Sequence, residues 1–173
     1  MQKRPGPAHG HVVSSDPYFT LMADEHGDGF VHCGDGVLVV PLTQDGYVLM
    51  AMERSPAFDR EVLVLVGGEV EEGEPMDETA NRELQEELGW RAERIDLLGE
   101  VHPFKYLASR QFVFLARGLK RRKLEGDEKH PINVRRVKLD DFYELCTSGE
   151  LQDAPSIAGL CMAEKYLDKA GCS

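Results

Sequence analysis

Long apolar runs are missing from this chain. The longest, Val37 to Leu42 and Val62 to Val66, fall far short of the roughly 20 residues that span a bilayer, so no transmembrane helix is expected. The N-terminus, MQKRPGPAHGHVVSS, carries basic residues without an apolar segment behind them, and no secretory signal is read there. Cysteine is sparse: Cys33, Cys146, Cys161 and Cys172 are widely separated and read as reduced thiols, with neither C-x-x-C spacing nor a zinc-type cluster with histidine. None of the six histidines falls in an H-E-x-x-H pattern, which argues against zinc hydrolase chemistry. Positive charge is also short, with 20 Lys and Arg against 31 Asp and Glu and a formal net charge of -11. Nucleic acid and anionic membranes are polyanions, so neither is an expected partner, and a phosphorylated ligand needs local help. A chain of 173 residues can bury roughly two-thirds of its unfolded surface without disulfides or a structural metal. One cytoplasmic domain is expected.

Turn signals divide the chain into short elements. His26-Gly27-Asp28-Gly29 separates strand-like segments at 19–21 and 30–32, and Gln44-Asp45-Gly46 is read as a hairpin turn between Val37–Val40 and Tyr47–Met52. Glu61 to Val66 is a β-branched run that stops at Gly67-Gly68, where a sharp turn is expected. The period then changes: Met76, Ala80, Leu84 and Leu88 recur every four positions, with Pro75 suited to the first turn and Gly89 to the position past the end. Strands are expected again near 95–101, 111–116 and 134–139, and helices near 140–147 and 155–169. Strands flanking a central helix, with more helix at the end, predict a mixed α/β layered domain.

The central helix carries Arg82-Glu83-Leu84-Gln85-Glu86-Glu87-Leu88-Gly89. Glu83, Glu86 and Glu87 share one face beside the apolar stripe. Three like charges within a turn repel each other, and a hard divalent cation reverses that sign; oxygen ligands favour Mg²⁺, with Mn²⁺ as the alternative, and Mg²⁺ characteristically takes substrate phosphates as further ligands. An arbitrary E-x-x-E-E is more often a solvated acidic face. Here its surroundings matter: Gly68, five residues, Glu74, seven residues, Arg82-Glu83-Leu84, one residue, Glu86-Glu87, one residue and Gly89 resemble the signature of the Nudix hydrolases. One position departs, because Trp90 stands where the family usually has an aliphatic residue.

The resemblance implies a Nudix-like fold, a mixed β-sheet sandwiched between helices, and hydrolysis of a diphosphate bond. It marks Gly68, Glu83, Glu86 and Glu87 as metal-binding, Arg82 as the residue that orients carboxylates through Glu74 and Glu78, and Glu125 or Glu128 as a base from a later loop. It also implies a division of the chain: 1–11 a flexible tail, 12–35 N-terminal strands serving dimerisation, and 36–173 the Nudix hydrolase domain. Ala80-Asn81-Arg82-Glu83-Leu84, Leu124-Glu125-Gly126-Asp127-Glu128 and a closing helix after Ala154 are similar to the ADP-ribose pyrophosphatase and ADP-compounds hydrolase branch. Pro103 stands slightly before the place where that branch often carries a proline. The branch implies a small-molecule nucleoside diphosphate substrate, AMP as one product, and a homodimer. For substrate binding it points to Arg54 and Glu61, with Arg110 as a further phosphate ligand and Tyr106 as an adenine-stacking ring. Two other readings stand beside it: hydrolysis of a dinucleoside polyphosphate, nucleotide sugar or NADH, and an RNA-associated or regulatory role resting on Lys120-Arg121-Arg122-Lys123.

Overall fold

The computed structural model describes residues 10–16, 18–124 and 132–171. The chain runs through β1 (His11–Ser15), β2 (Thr20–Ala23), β3 (Gly29–His32), β4 (Gly36–Pro41), β5 (Tyr47–Ser55), β6 (Arg60–Val64) and β7 (Val66–Glu69) into helix α1 (Met76–Leu88). It continues through β8 (Trp90–Arg91), β9 (Arg94–Val101), β10 (Leu107–Ala108), β11 (Gln111–Arg117), β12 (Lys120–Arg121) and β13 (Asn133–Lys138). A 3-10 turn at Leu139–Asp141 leads to α2 (Phe142–Ser148) and α3 (Ala154–Gly171).

Strand β4 is buried along its whole length, and its two faces serve different cores. Leu38 and Val40 pack with Val113 and Leu115 of β11, Phe142 of α2 and Leu160 of α3. Val37 and Val39 pack with Phe112 and Phe114 of β11 and with Ala80, Leu84 and Leu88 of α1. Side chains alternate across a strand, so a continuous apolar run is what a strand covered on both faces requires. The predicted sandwich of mixed sheet between helices is the observed architecture. Its central sheet has the order β7-β4-β11-β9, with β4 and β11 parallel and the outer pairs antiparallel.

The other strands form a three-stranded sheet, β13-β5-β6, a two-stranded β12-β8 pair and an N-terminal sheet, β1-β2-β3-β10. Among the described residues no helix is long and apolar enough to cross a membrane.

Two expectations fail here for the same physical reason. The chain does reverse at Asp45-Gly46, where Gly46 takes φ 83° and its N–H donates to Thr43 O at 3.1 Å, but β4 and β5 form no ladder. Only Leu42 bridges Val48, and the two strands leave the turn for different sheets. The run from Glu61 to Val66 likewise divides at Leu65 instead of forming one strand: β6 pairs with β5, and β7 pairs with β4. At the break the Leu65 N–H donates to the buried Ser156 Oγ at 2.8 Å. Ser156 in turn donates from its hydroxyl and its backbone N–H to Asp153 Oδ2, at 2.6 and 2.9 Å, so Asp153 caps α3. One side chain thus joins the sheet switch to a helix start. Ser156→Ala leaves the Leu65 N–H buried without its acceptor and is expected to cost about 1–3 kcal/mol. A lower urea midpoint at unchanged m-value would show it.

Candidate active site

The site is built where β7 meets α1. Helix α1 begins after Pro75 and ends at Gly89, whose φ of 72° lets its N–H cap the carbonyls of Leu84 and Gln85. Asp77 and Glu78 in the first turn suit the positive end of the helix. Ala80, Leu84 and Leu88 are anchored in the core, which leaves Glu83, Glu86 and Glu87 beside the buried stripe, with the Glu83 carboxylate against Gly68 of β7. Gly67 and Gly68 lie inside β7, opposite Leu38 and Val37, and not at the sharp turn expected of them. Close approach explains them: a Cβ on Gly67 would overlap the Val37 carbonyl oxygen of the backbone, and one on Gly68 would displace the Glu83 carboxylate from the strand.

Arg82 ties the acidic groups together. Its Nη1 donates to Glu83 Oε1 at 2.7 Å and Glu86 Oε2 at 3.2 Å, and its Nε and Nη2 each donate to Glu74 at 3.1 Å. A further bond runs from Nη2 to the Glu69 carbonyl at 3.3 Å, which fastens the helix to β7. Glu83 and Glu86 are 12% and 18% exposed, so this pairing is shielded well beyond an ordinary surface ion pair. The Arg82 bonds hold the Glu74 carboxyl below the usual carboxylate range despite burial, aided by Thr79 Oγ1, which donates to Glu74 Oε2 at 2.8 Å. Glu74, ahead of Glu83, raises the Arg82 guanidinium above its ordinary value. Arg82 therefore stays charged, and its bonds reach Glu74, Glu83 and Glu86. Glu78 is not one of its partners among the described residues.

The donor set fits a hard cation through the chemistry of its atoms: carboxylates of Glu83, Glu86 and Glu87, with Glu87 Oε2 buried, beside a strand that glycine leaves open. Among the described residues no three acidic, histidine or cysteine side chains converge tightly enough to hold an ion by themselves. Water and substrate oxygens would have to complete the shell, the usual arrangement for Mg²⁺.

A cavity of about 400 Å³ opens beside Gly67 and Gly68. Glu53, Glu69 and Gln111 line it, with Tyr18 and Phe19 from the N-terminal segment and Asp153 from the start of α3. None of these was legible as a site residue; the only signal was an acid directly after two glycines at 67–69. The expected substrate residues are placed elsewhere. Arg54 and Glu61 face each other across the β5–β6 ladder, and Arg54 bonds the exposed Asp59 at 2.7 Å. Arg110 is held by Asp35, through its Nε at 3.1 Å, its Nη2 at 2.5 Å and its backbone N–H at 2.9 Å. That clamp ties the entry of β4 to the entry of β11, so the guanidinium is engaged in bracing the sheet. Tyr106 packs edge-on against Phe104, with ring centroids 5.3 Å apart, on the edge of the N-terminal sheet. Trp90 lies in β8 under the Arg121 guanidinium, which is 4.2 Å from its ring centroid. Glu125 and Glu128 lie outside the described residues, as do residues 1–9 of the expected tail; β1 begins at His11.

Comparison with known proteins agrees with this geometry. The NUDIX domain family matches residues 34–160. ADP compounds hydrolase NudE of Escherichia coli strain K12 is 27% identical over 138 residues, covering 79% of this chain and 74% of that protein. ADP-ribose pyrophosphatase of Bacillus subtilis strain 168 is 31% identical over 121 residues, covering 68% of this chain and 65% of that protein. A crystal structure of an ADP compounds hydrolase shares the fold with a TM-score of 0.79 at 24% identity, over 99% of this chain and 98% of that one.

Proposed function

This chain belongs to the Nudix family and is a Nudix hydrolase, and from that premise we propose that it hydrolyses the diphosphate bond of ADP-ribose or a related ADP compound. AMP and a phosphorylated second half would be the products. The observation that carries this reading is the contact of the Glu83 carboxylate with Gly68, which makes the acidic helix face and the open strand one continuous surface. The names of the two curated relatives support the choice of substrate.

In this reading Glu83, Glu86 and Glu87 hold a divalent cation, Mg²⁺ or Mn²⁺, with the Gly68 backbone alongside. When bound, such an ion neutralises charge on phosphate oxygens and makes water more acidic. Arg82 acts on the carboxylates, fixing Glu83 and Glu86 so that little reorganisation is needed when the substrate arrives. The base is a glutamate, either in the helix or at 125 or 128. The cavity beside Gly67 and Gly68 is large enough for part of a nucleotide, with Tyr18 and Phe19 as its stacking rings.

Dimerisation through the N-terminal strands and a cytoplasmic location belong to the same proposal. Val12, Val13, Phe19 and Leu21 are exposed on the N-terminal sheet, an apolar surface that a second copy would cover. Mass analysis of products tests the substrate assignment. ADP-ribose with Mg²⁺ is expected to yield AMP and ribose 5-phosphate; product masses showing cleavage elsewhere, or no turnover, would reject it.

A further inference from the structure

The cavity beside Gly67 and Gly68 offers a substrate many acceptors and few donors. Glu53, Glu69 and Asp153 line it, and carboxylates only accept hydrogen bonds. Ionised phosphate oxygens also only accept, so a diphosphate approaching from this side needs a donor. The nearby guanidinium groups are engaged elsewhere: Arg82 bonds Glu74, Glu83 and Glu86, and Arg110 is clamped by Asp35. Among the described residues that line the cavity, the side-chain donors are the hydroxyl of the largely exposed Tyr18, the Cys33 thiol, which donates weakly, and the carboxamide of Gln111.

Gln111 is placed as a fixed donor would be. It opens β11, a strand paired on both sides, with β4 through Gly36 and with β9 through Val101. Residues paired across neighbouring strands direct their side chains to one face, so Gln111, Gly36 and Glu69 form a row across β11, β4 and β7. Glu69 folds back over Gly34, and the buried Gly36 has no side chain, which leaves a trough in the middle of the row. The Gln111 carboxamide and the Gly68 carbonyl share that trough: a Cβ on Gly36 would lie 2.7 Å from Gln111 Oε1, 2.8 Å from its Nε2 and 2.9 Å from Gly68 O. Gly68 thus meets Glu83 on the helix side and Gln111 on the cavity side. The half-buried carboxamide makes no hydrogen bond to another described residue. Its two ends lie about equally close to Gly36, so a half-turn about the last bond presents the nitrogen to a ligand. A merely solvated glutamine needs neither a glycine beneath it nor a place against the strand that the acidic helix face touches.

We propose that Gln111 is a substrate-binding residue, whose Nε2 donates to a non-bridging oxygen of the diphosphate where the substrate passes Gly68. This rests on the function proposed above and deepens it, by naming a neutral donor for the phosphoryl oxygens on the side of the sheet away from the acidic helix. An amide has an advantage over a cation in this place. Glu53, Glu69 and Asp153 would draw a cation into ion pairs, whereas a neutral carboxamide competes weakly for them and stays available to the ligand.

The test uses two variants of the full chain: Gln111→Met, which keeps the length of the side chain without a donor, and Gln111→Glu, which keeps its shape and only accepts. The probe is α,β-methylene-ADP, a diphosphate analogue that cannot be cleaved at its bridge. Calorimetric titration in Mg²⁺ is expected to give roughly tenfold to a hundredfold weaker binding for Gln111→Met, the loss of one hydrogen bond to a charged group, and weaker binding still for Gln111→Glu. With ADP-ribose as substrate, KM should rise at least about tenfold in Gln111→Met while kcat stays within about threefold, the pattern of a contact held equally in ground and transition states. A Glu variant that binds as tightly as wild type would overturn the proposal, since the carbonyl end would then be the one that reads the substrate. Unchanged affinity in Gln111→Met would overturn it too, whatever the Tm, because a side chain that only packs alters stability and not binding. If the wild-type chain does not cleave ADP-ribose, the proposed function fails, and the titration, which needs no turnover, still decides the contact.

Discussion

Glu87→Gln is expected to lower turnover of ADP-ribose by roughly 10²–10³-fold, the loss produced by removing one preorganised electrostatic partner of a transition state. The substitution keeps the shape of the side chain and removes its charge. Glu87 lies one turn after Glu83 on α1, beside the core-anchored Leu84 and Leu88, and its Oε2 is buried, so a solvent ion cannot replace the lost charge in place. The loss should fall in kcat, and raising Mg²⁺ should restore little of it. Glu78→Gln, on the exposed side of the first turn of the same helix, is the control for a general effect of helix charge, and its turnover should stay within about twofold of wild type, in line with the small worth of exposed charges. Equal rates for the Glu87 variant and the wild-type chain would remove Glu87 from the machinery and, with it, the assignment of the acidic face as the cation-binding surface.

The largest stability effect is expected at Phe142. This ring opens α2, is completely buried, and fills the core on the α3 side of the central sheet together with Leu151 and Leu160. Phe142→Ala should cost about 3–5 kcal/mol, from lost transfer free energy and a cavity the packed surroundings cannot close. Against a total stability of about 5–15 kcal/mol, that is enough to lower Tm by roughly 10 °C. Calorimetry would measure it. Because the acidic face packs on the opposite side of the sheet, through Ala80, Leu84 and Leu88, the fraction that remains folded should retain its KM. A Tm shift of only a degree or two would mean that this core is not packed as described.

These two expectations differ in how far they can be read without coordinates. The acidic helix was legible because its causes are local: a 3.6-residue period, a proline at one end and a left-handed glycine at the other place Glu83, Glu86 and Glu87 on one side whatever surrounds them. The double-sided burial of β4 was legible for the same reason, as an uninterrupted apolar run. The partner of Arg110 and the residues that line the cavity beside the glycines were not. Arg110 is an unremarkable cation in sequence, and its partner Asp35 is 75 positions away, joined to it only by the parallel pairing of β4 with β11. Glu53, Gln111 and Asp153 meet at one cavity from three distant elements.

The chain's own pattern determined the helix with its acidic face and the two apolar surfaces of the central strands, since each follows from geometry within a few residues; what the paired glycines at 67 and 68 approach was decided in three dimensions. Which strands pair, where a run divides between sheets, what each arginine bonds and which cavity opens beside the glycines were decided only in three dimensions. A hydrogen-bonding edge or a guanidinium has no preferred partner in sequence; it takes the one that burial of both cores brings within reach.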